Sequence, residues 1–532
     1  MVIVSFMNGM FKHRIVMRYL ISTFIILLVM FFTLNSVTAN TPLFKSALSD
    51  FNVLNSVFKV LNYVNYTVTY SVDLFIPANS RVELRVAVPP NFPPYQVASL
   101  FNSSHPISGI LVDEYGNEVA VVQLPQSFTA QKLRVSITYM VTIFQVNCSI
   151  DPSNIGIYNT SLKEYLLYTK PERYIECDDP NIIGKAREIV GLESNVYHAV
   201  YKLFMWVYKN IKYEYEHEVR GALLTLLRGS GACDEHAYLL TAVCRAVGIP
   251  SRCVNGYGFH LNDTLTGSFT MREGHAWVEI LLPNYGWIFV DPTWGLFADS
   301  DVLHVSFRRG VESSLLDAGL YCIRYYGSAP RILGSELKVS VIPVDSDGDG
   351  LTNLEEYKFK TNAFNVDTDA DGLMDGEEMK LYNTNPLKAD TDDDGLNDYV
   401  ELKVYHTNPL TRDTDNDELT DHEEISLFKT NPLLADSDGD GLSDGFEVKI
   451  SKTNPLNPDS DGDGLNDYLE FMILRSNPLS YDSDGDLWPD YIEYIFSSLI
   501  IFNLNNFFLP NFAIIGLIFI IVVVSVAFRS KR

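Results

Sequence analysis

The sequence predicts a multidomain protein: an N-terminal β-sandwich, an α+β domain, a repeat stalk and a C-terminal transmembrane helix along 532 residues. Three observations predict it. Apolar and polar residues alternate with period two before residue 150. Helical patterns followed by strand patterns fill the next stretch. From residue 345 an acidic motif recurs seven times. At ~100–200 residues per domain, the length allows three or four domains.

The formal net charge is −27, from 67 acidic and 40 basic side chains. Residues 345–493 hold 39 of those acids and 10 of the bases, so the remainder, with 28 acids and 30 bases, is close to neutral. Leu, Tyr, Ile and Phe recur at regular intervals inside the acidic block, which excludes a disordered acidic tail. Neither part offers a strongly basic surface to neutralise phosphates, so nucleic acid is not an expected partner. Cations are.

The ends read as targeting segments. Lys12, Arg14 and Arg18 precede an apolar run from Tyr19 to Phe32, and Val37-Thr38-Ala39 supplies small residues for cleavage, so residues 1–39 read as a secretory signal peptide. An uncleaved N-terminal anchor is the other reading. Phe512 to Phe528, extended back to Phe507, reads as a transmembrane helix over 507–528, and Arg529-Ser530-Lys531-Arg532 as a cytoplasmic tail (529–532). The chain is therefore expected to be single-pass in the cell membrane, with its bulk extracytoplasmic. Sequons at Asn65, Asn102, Asn147, Asn159 and Asn262 are candidate glycosylation sites. A disulfide such as Cys148 with Cys177 would be permitted outside the cell.

The β-sandwich is assigned to residues 41–160. Tyr66-Thr67-Val68-Thr69-Tyr70-Ser71-Val72, Arg81 to Val88 and Lys132 to Tyr139 alternate, and Pro89-Pro90-Asn91-Phe92-Pro93-Pro94 breaks the chain between them. No chemistry is visible there. The α+β domain is assigned to 162–340, with helices around Asn195–Lys209 and Cys233–Val247, then strands from Gly274 to Leu282 and Gly286 to Val290.

Within that domain, Gly229-Ser230-Gly231-Ala232-Cys233 runs from a glycine-rich turn into a helix. Helix N-terminal amides and the helix dipole lower a thiol pKa, and the thiolate is the nucleophile. His275 opens a strand and Asp291 ends the next. Adjacent antiparallel strands can set the carboxylate against one ring nitrogen and leave the other for the thiol. Each residue alone has a plain structural explanation. Together, Gly231-Ala232-Cys233-Asp234-Glu235-His236-Ala237, Gly248-Ile249-Pro250-Ser251-Arg252 with Asn255-Gly256-Tyr257, Gly274-His275-Ala276-Trp277-Val278-Glu279, and Gly286-Trp287 through Asp291-Pro292-Thr293 resemble the transglutaminase-like superfamily, which shares the papain-like thiol fold. The resemblance covers roughly residues 165–310.

It implies a two-step acyl transfer through a Cys233–His275–Asp291 triad, with no cofactor needed for the thiol chemistry. The backbone N–H of Cys233 is one oxyanion donor, and Tyr213 and Tyr215 are weak candidates for the second. The expected substrate is an extracellular or envelope protein or peptide. Cross-linking, deamidation and proteolysis stay open. For Trp277, Trp287 and Trp294 two roles stand, lining the cleft and packing in the core, of which core packing is the expectation.

The acidic motif D-x-D-x-D-G-L-x-D-x-x-E begins at Asp345, Asp367, Asp390, Asp413, Asp436, Asp459 and Asp482, spaced by 22 residues once and 23 thereafter. Fixed periods of this size mark stacked units. Oxygen ligands at positions 1, 3, 5, 9 and 12 with Gly at 6 form the register of an EF-hand-type calcium loop. The first loop offers Asp345, Asp347, Asp349, Asn353 and Glu356; the second Asp367, Asp369, Asp371, Asp375 and Glu378; the third Asp390, Asp392, Asp394, Asp398 and Glu401. The fourth offers Asp413, Asp415, Asp417, Asp421 and Glu424, and the fifth Asp436, Asp438, Asp440, Asp444 and Glu447. The sixth offers Asp459, Asp461, Asp463, Asp467 and Glu470, and the seventh Asp482, Asp484, Asp486, Asp490 and Glu493. Oxygen-only sets favour Ca²⁺ or Mg²⁺. Glu418 and Leu487 stand where Gly is expected in the fourth and seventh loops. Thr-Asn-Pro-Leu follows most loops, its Pro expected to stop a short helix. The block resembles thrombospondin type 3 repeats, which implies structural Ca²⁺.

Two readings compete with a membrane-anchored thiol enzyme on a calcium-rigidified stalk: a non-catalytic, calcium-dependent adhesion or envelope protein, and a cysteine protease proper.

Overall fold

The computed structural model describes residues 57–506 apart from 216–217, 272–273, 312–314 and 317–319. The expected signal peptide (1–39), the 507–528 helix and the tail lie outside them. Among the described residues no helix is long and apolar enough to cross a membrane. The chain divides into two compact units, with the boundary after Thr368.

In the first unit, strand β1 (Phe58–Ile76) pairs antiparallel with β6 (Gln131–Cys148) over almost its whole length, from Phe58 opposite Cys148 to Ile76 opposite Gln131. Between them in sequence come β2 (Arg81–Ala87), β3 (Gln96–Ser103), β4 (Ile107–Val112) and β5 (Glu118–Gln123). The alternation seen in the sequence puts Val68, Val72 and Leu74 of β1, Leu84 of β2 and Val122 of β5 into one buried core between two sheets.

Neither sheet is complete within residues 41–160. After a short helix at Lys163–Leu167 come four more: α1 (Pro180–Val190), α2 (Val196–Asn210), α3 (Ala222–Arg228) and α4 (Cys233–Ala246). Strands β7 (Ser251–Gly258), β8 (Ser268–Met271), β9 (His275–Leu282), β10 (Gly286–Asp291), β11 (Leu296–Phe297), β12 (His304–Arg309), β13 (Tyr321–Tyr326) and β14 (Arg331–Ile342) follow. The last two return to the N-terminal region. The sheets run β8-β14-β1-β6-β3 and β13-β2-β5-β4, so segments 41–160 and 162–340 share both.

A third antiparallel sheet, β11-β10-β9-β7-β12, belongs to the α+β region alone. One face packs on the helices, through Val278, Ile280, Ile288 and Val290 against Leu203, Phe204, Leu240 and Val243. The other face, with Val254, Trp277 and Phe289, packs on Phe58, Tyr63, Phe144 and Val146 of β1 and β6. The functional strands are therefore gripped from both sides.

The six cysteines are free in the structure, and the permitted Cys148–Cys177 bridge is not formed. Asn65 is buried and accepts a 2.7 Å hydrogen bond from Thr142 Oγ1, so this sequon is closed to a glycan in the folded chain.

In the second unit the loops before the seventh lead into one short helical turn and then a wider turn, whereas the seventh leads into a helix, Asp490–Asn506. Asn383 N–H, for example, reaches back five residues to Glu378 O at 2.7 Å. These turns end on left-handed residues, Asn383, His406, Lys429, Lys452 and Arg475, each placed before the Thr/Ser-Asn-Pro segment. The helical run thus stops before the proline that was expected to stop it.

Candidate active site and cation loops

The turn that delivers Cys233 is built from close approaches. Gly229 ends α3 in the left-handed conformation (φ 72°), with its N–H bonded to Thr225 O. The next residues, Ser230–Gly231, pair in parallel with Lys212–Tyr213. A Cβ on Gly231 would sit 2.5 Å from Glu235 Cβ, so only glycine fits there. The buried Glu235 side chain accepts from Ala232 N at 2.7 Å and Arg220 N at 2.9 Å, tying down the first turn of α4. Cys233 is the first residue of that helix, half-buried, with its thiol 4.0 Å from Gly274 O.

Strands β9 and β10 pair with Val278 opposite Val290, which brings His275 and Asp291 to the same end. His275 Nε2 lies 2.7 Å from Asp291 Oδ2, and the Cys233 thiol lies against Gly274, the residue just before His275. The structure thus brings together all three residues singled out from the sequence. Burial alone would lower the His275 pKa, but the hydrogen bonds to Asp291 and Cys233 outweigh it and raise it. Asp291 is fully buried, which opposes its charge, yet His275 and His304 hold it far below the usual carboxylate range. Its other oxygen accepts from Thr293 N at 2.7 Å and Trp294 N at 3.0 Å. Beside the nucleophile, burial and Glu235 raise Asp234 to about 6.

Sequence reasoning missed His304 and Asp301. His304 Nε2 approaches Asp291 Oδ2 at 3.2 Å and its Nδ1 approaches Asp301 Oδ1 at 2.7 Å. Each is a single polar residue near the start of a strand, and nothing in its spacing pointed to the site. Trp277 is buried with its ring 5.1 Å from that of His304, whereas Trp294 is half-buried and stacks 5.0 Å from His275. Trp287 lies under Arg252, 3.8 Å from its guanidinium carbon, and donates its ring N–H to Glu164. Tyr213 and Tyr215 are exposed. The N-terminal β region, which showed no chemistry, walls the back of the site: Phe92, Tyr95 and Gln96 line a cavity of about 20 Å³ together with Asp301 and His304.

In the repeats, carboxylates at positions 1, 3 and 5 converge, as in Asp345/Asp347/Asp349, Asp390/Asp392/Asp394 and Asp413/Asp415/Asp417. Position 1 cradles the loop backbone: Asp390 accepts from Asp393 N at 2.7 Å and Gly395 N at 2.9 Å. Position 5 ties neighbouring repeats. Asp440 accepts from Leu442 N at 2.7 Å and, 28 residues on, from Tyr468 N at 2.8 Å; Asp394 and Asp463 do the same toward His422 and Tyr491. Position 9 braces position 2, with Asp398 taking both N–H and O–H of Thr391. Asp421 and Asp467 repeat this with Thr414 and Ser460, and Asp490 with Ser483.

What remains unpaired is specific. One oxygen each of Asp347, Asp392, Asp438 and Asp461 at position 3, and of Glu378, Glu401, Glu424, Glu447 and Glu470 at position 12, is buried with no hydrogen-bond partner. Burial and the neighbouring aspartates push those five glutamates up to about 8. Buried, orphaned, oxygen-only donors fit a hard cation. Of the second loop, Asp369, Asp371, Asp375 and Glu378 lie in the second unit. Glu418 and Leu487 adopt φ 83° and 80°, and their N–H groups bond Asp413 and Asp482 as the glycines do elsewhere, so both irregular loops close.

A thiol at a helix start, an imidazole and a carboxylate on neighbouring antiparallel strands define the papain-like thiol class. Residues 183–292, which contain all three, match the transglutaminase-like superfamily, and six segments between 345 and 479 match the bacterial TSP3 repeat. The chain carries a transglutaminase-like domain followed by thrombospondin type 3 repeats of bacterial type. Over 109 residues it is 37% identical to a protein-glutamine gamma-glutamyltransferase of Pseudomonas aeruginosa, covering 18% of this chain and 15% of that protein. Over 71 residues it is 34% identical to the uncharacterized protein YebA of Bacillus subtilis, covering 12% and 10% respectively. The chain thus spans only a small part of the curated relatives' length. Among solved structures, a candidate cysteine protease of Cytophaga hutchinsonii aligns over 54% of this chain and 94% of its own, at 20% identity and a TM-score of 0.40.

Proposed function

We propose that the protein is a thiol enzyme carrying out acyl transfer or hydrolysis at amide bonds of extracytoplasmic proteins, displayed on a Ca²⁺-binding stalk anchored in the membrane. The observation that carries the reading is His275, bonded to Asp291 at 2.7 Å and next in the chain to Gly274, whose carbonyl lies 4.0 Å from the Cys233 thiol. Cys233 Sγ would attack the amide carbon while His275 takes the thiol proton. As the C–N bond breaks, His275 returns that proton to the departing nitrogen and leaves a thioester. Water or an amine then attacks the thioester, gives its proton to His275, and releases the Cys233 thiol. Asp291 holds the imidazole in one orientation. The N–H of Cys233, at the positive end of α4, supports the oxyanion.

The repeats would hold Ca²⁺ through carboxylates at positions 1, 3, 5 and 12, with position 9 bracing the loop. The cation supplies positive charge to a segment that otherwise carries a net −29. Export rests on the signal-peptide pattern of residues 1–39, and membrane anchoring on the apolar run at 512–528.

The test is incubation of glutamine-bearing proteins, with and without an amine acceptor, with the wild-type chain and Cys233→Ala. Mass spectrometry then scores new cross-links, deamidation and cuts. Loss of turnover by ~10³-fold or more supports the reading; turnover that survives removes Cys233 from the mechanism.

A further inference from the structure

Behind Asp291 the hydrogen-bonded chain continues for two more residues that the three-residue mechanism does not use. His304, at the start of β12, is buried and meets a carboxylate at each ring nitrogen: Asp301 Oδ1 at Nδ1 (2.7 Å) and Asp291 Oδ2 at Nε2 (3.2 Å). Ionised carboxylates only accept hydrogen bonds, so both nitrogens carry a proton and the ring is an imidazolium. Three rings fix its plane: Trp294 at 4.4 Å, Trp277 at 5.1 Å and Phe289 at 5.3 Å, each edge-on. Asp301 is itself held by Leu303 N at 2.8 Å.

We propose that His304, clamped by Asp301, is a positioning residue of the thiol site: it holds the same oxygen of Asp291 that His275 bonds, and its positive charge tempers the basicity of His275. The proposal rests on the thiol-enzyme reading above. A buried Asp291 facing His275 alone would make the imidazole a strong base and a correspondingly poor acid toward the departing nitrogen. A second cation on the same carboxylate oxygen offsets that pull. The His304 ring lies 5.2 Å from the His275 ring, and like charge at that distance disfavours protonation of His275. Burial would lower the pKa of His304 itself, but Asp301 and Asp291 lift it to about 9.

The other titratable groups around His304 do not replace this role. Glu279 of β9 lines the cavity beside it but is held by Arg252 at 2.6 Å and Arg309 at 3.2 Å. Tyr95, after β2, donates its hydroxyl toward Trp287 O. Tyr66 of β1 donates to Val302 O next to Asp301. The cavity is large enough for about one water.

The experiment measures, on the full-length chain, the pH dependence of Cys233 alkylation by iodoacetamide and of kcat and KM for wild type, His304→Gln and Asp301→Asn. Loss of the cation should move the acid limb of alkylation and the alkaline limb of turnover up by roughly one pH unit. The value of kcat should fall roughly tenfold or more with KM little changed. Folded variants with reduced kcat and unshifted limbs would make His304 merely structural and overturn the proposal. Should the variants not fold, ¹⁵N-histidine NMR of the wild type decides: a doubly protonated His304 ring at pH 7.5 supports it, a neutral ring overturns it. A wild-type Cys233 that alkylates like an ordinary thiol, with its limb near ~8.5, overturns the thiol-enzyme reading and this one with it. A low-pH limb in the wild type that the variants leave in place overturns this one alone.

Discussion

Asn353 of the first repeat donates its side-chain N–H to the carbonyl of Tyr63 at 3.0 Å. The neighbouring Asn62 returns a 2.7 Å bond to the carbonyl of Asn353. The repeat residue at position 2, Ser346, bonds the Tyr63 hydroxyl at 3.1 Å, and Phe364 stacks on the Tyr63 ring. This explains why position 9 is Asn here and Asp in the other loops. An aspartate cannot donate to Tyr63 O, and Ser346 has turned away from position 9 toward β1. The first repeat is therefore part of the first unit.

Asn353→Asp should consequently destabilise the first unit by ~2–3 kcal/mol, because it sets a buried carboxylate against a carbonyl oxygen and leaves that carbonyl without its donor. Thermal unfolding followed by circular dichroism checks this. A melting temperature equal to wild type would mean that the clamp contributes nothing.

Position 6 is tested by a contrasting pair. Gly395 sits at φ 109° and a Cβ there would come within 2.4 Å of His422 Nδ1, so Gly395→Ala should destabilise the second unit by more than ~1 kcal/mol. Glu418 occupies the same position with φ 83°, and the residue that would face it across the repeat is Gly445 rather than a ring. Glu418→Gly relieves that backbone and should be neutral or stabilising by up to ~1 kcal/mol. The calcium-free denaturant midpoint should therefore fall for Gly395→Ala and stay level or rise for Glu418→Gly.

The pH dependence of the calcium-free repeats follows from position 12. Glu378, Glu401, Glu424, Glu447 and Glu470 titrate near 8 in the folded chain, above the ordinary carboxylate value. The folded state thus binds more protons than the unfolded one between those two values, so its stability falls as pH rises from about 4.5 to 8. In EDTA the repeats should melt at a lower temperature at pH 8 than at pH 5. Added Ca²⁺, which replaces those protons, should reverse the order. Melting that rises with pH in EDTA would contradict the orphaned-carboxylate picture.

What the sequence disclosed depended on whether a pattern was local. Cys233, His275 and Asp291 were legible because each lies in a stretch with its own signature, a glycine turn into a helix or one end of a strand pair. The acidic repeats were legible because their register recurs. His304 and Asp301 were not, because their partner Asp291 is reached by folding β12 beside β7, a pairing that no spacing along the chain announces. Strands β13 and β14 escaped for the same reason: they alternate like the N-terminal strands but pair with residues 235 to 277 positions away in the chain, from Tyr321 opposite Val86 to Ile342 opposite Asn65. Position 5 looked like a ligand alone, and its second task, holding Tyr468 or Tyr491 of the next repeat, needed the stacked geometry.

Asp291→Asn separates charge from shape at the centre of the site. Asp291 accepts four hydrogen bonds, two from backbone N–H groups at one oxygen and two from His275 and His304 at the other. Asparagine retains the first pair if its carbonyl faces Thr293 and Trp294, but it then presents an N–H to two rings that were themselves donating. His275 must move its proton to the nitrogen that faces Cys233, where it can no longer act as the base, and His304 loses one of its two counter-ions. Turnover should drop by roughly 10³–10⁴-fold. The acid side of the stability profile should change as well. Because the folded pKa of Asp291 is depressed, its stabilisation is complete above the ordinary carboxylate range and is lost as pH falls toward the lower folded value. Wild type should lose stability on acidification more steeply than Asp291→Asn, which has no carboxylate at that position to protonate, and parallel melting curves between pH 5 and pH 2 would show that the two histidines do not hold this charge.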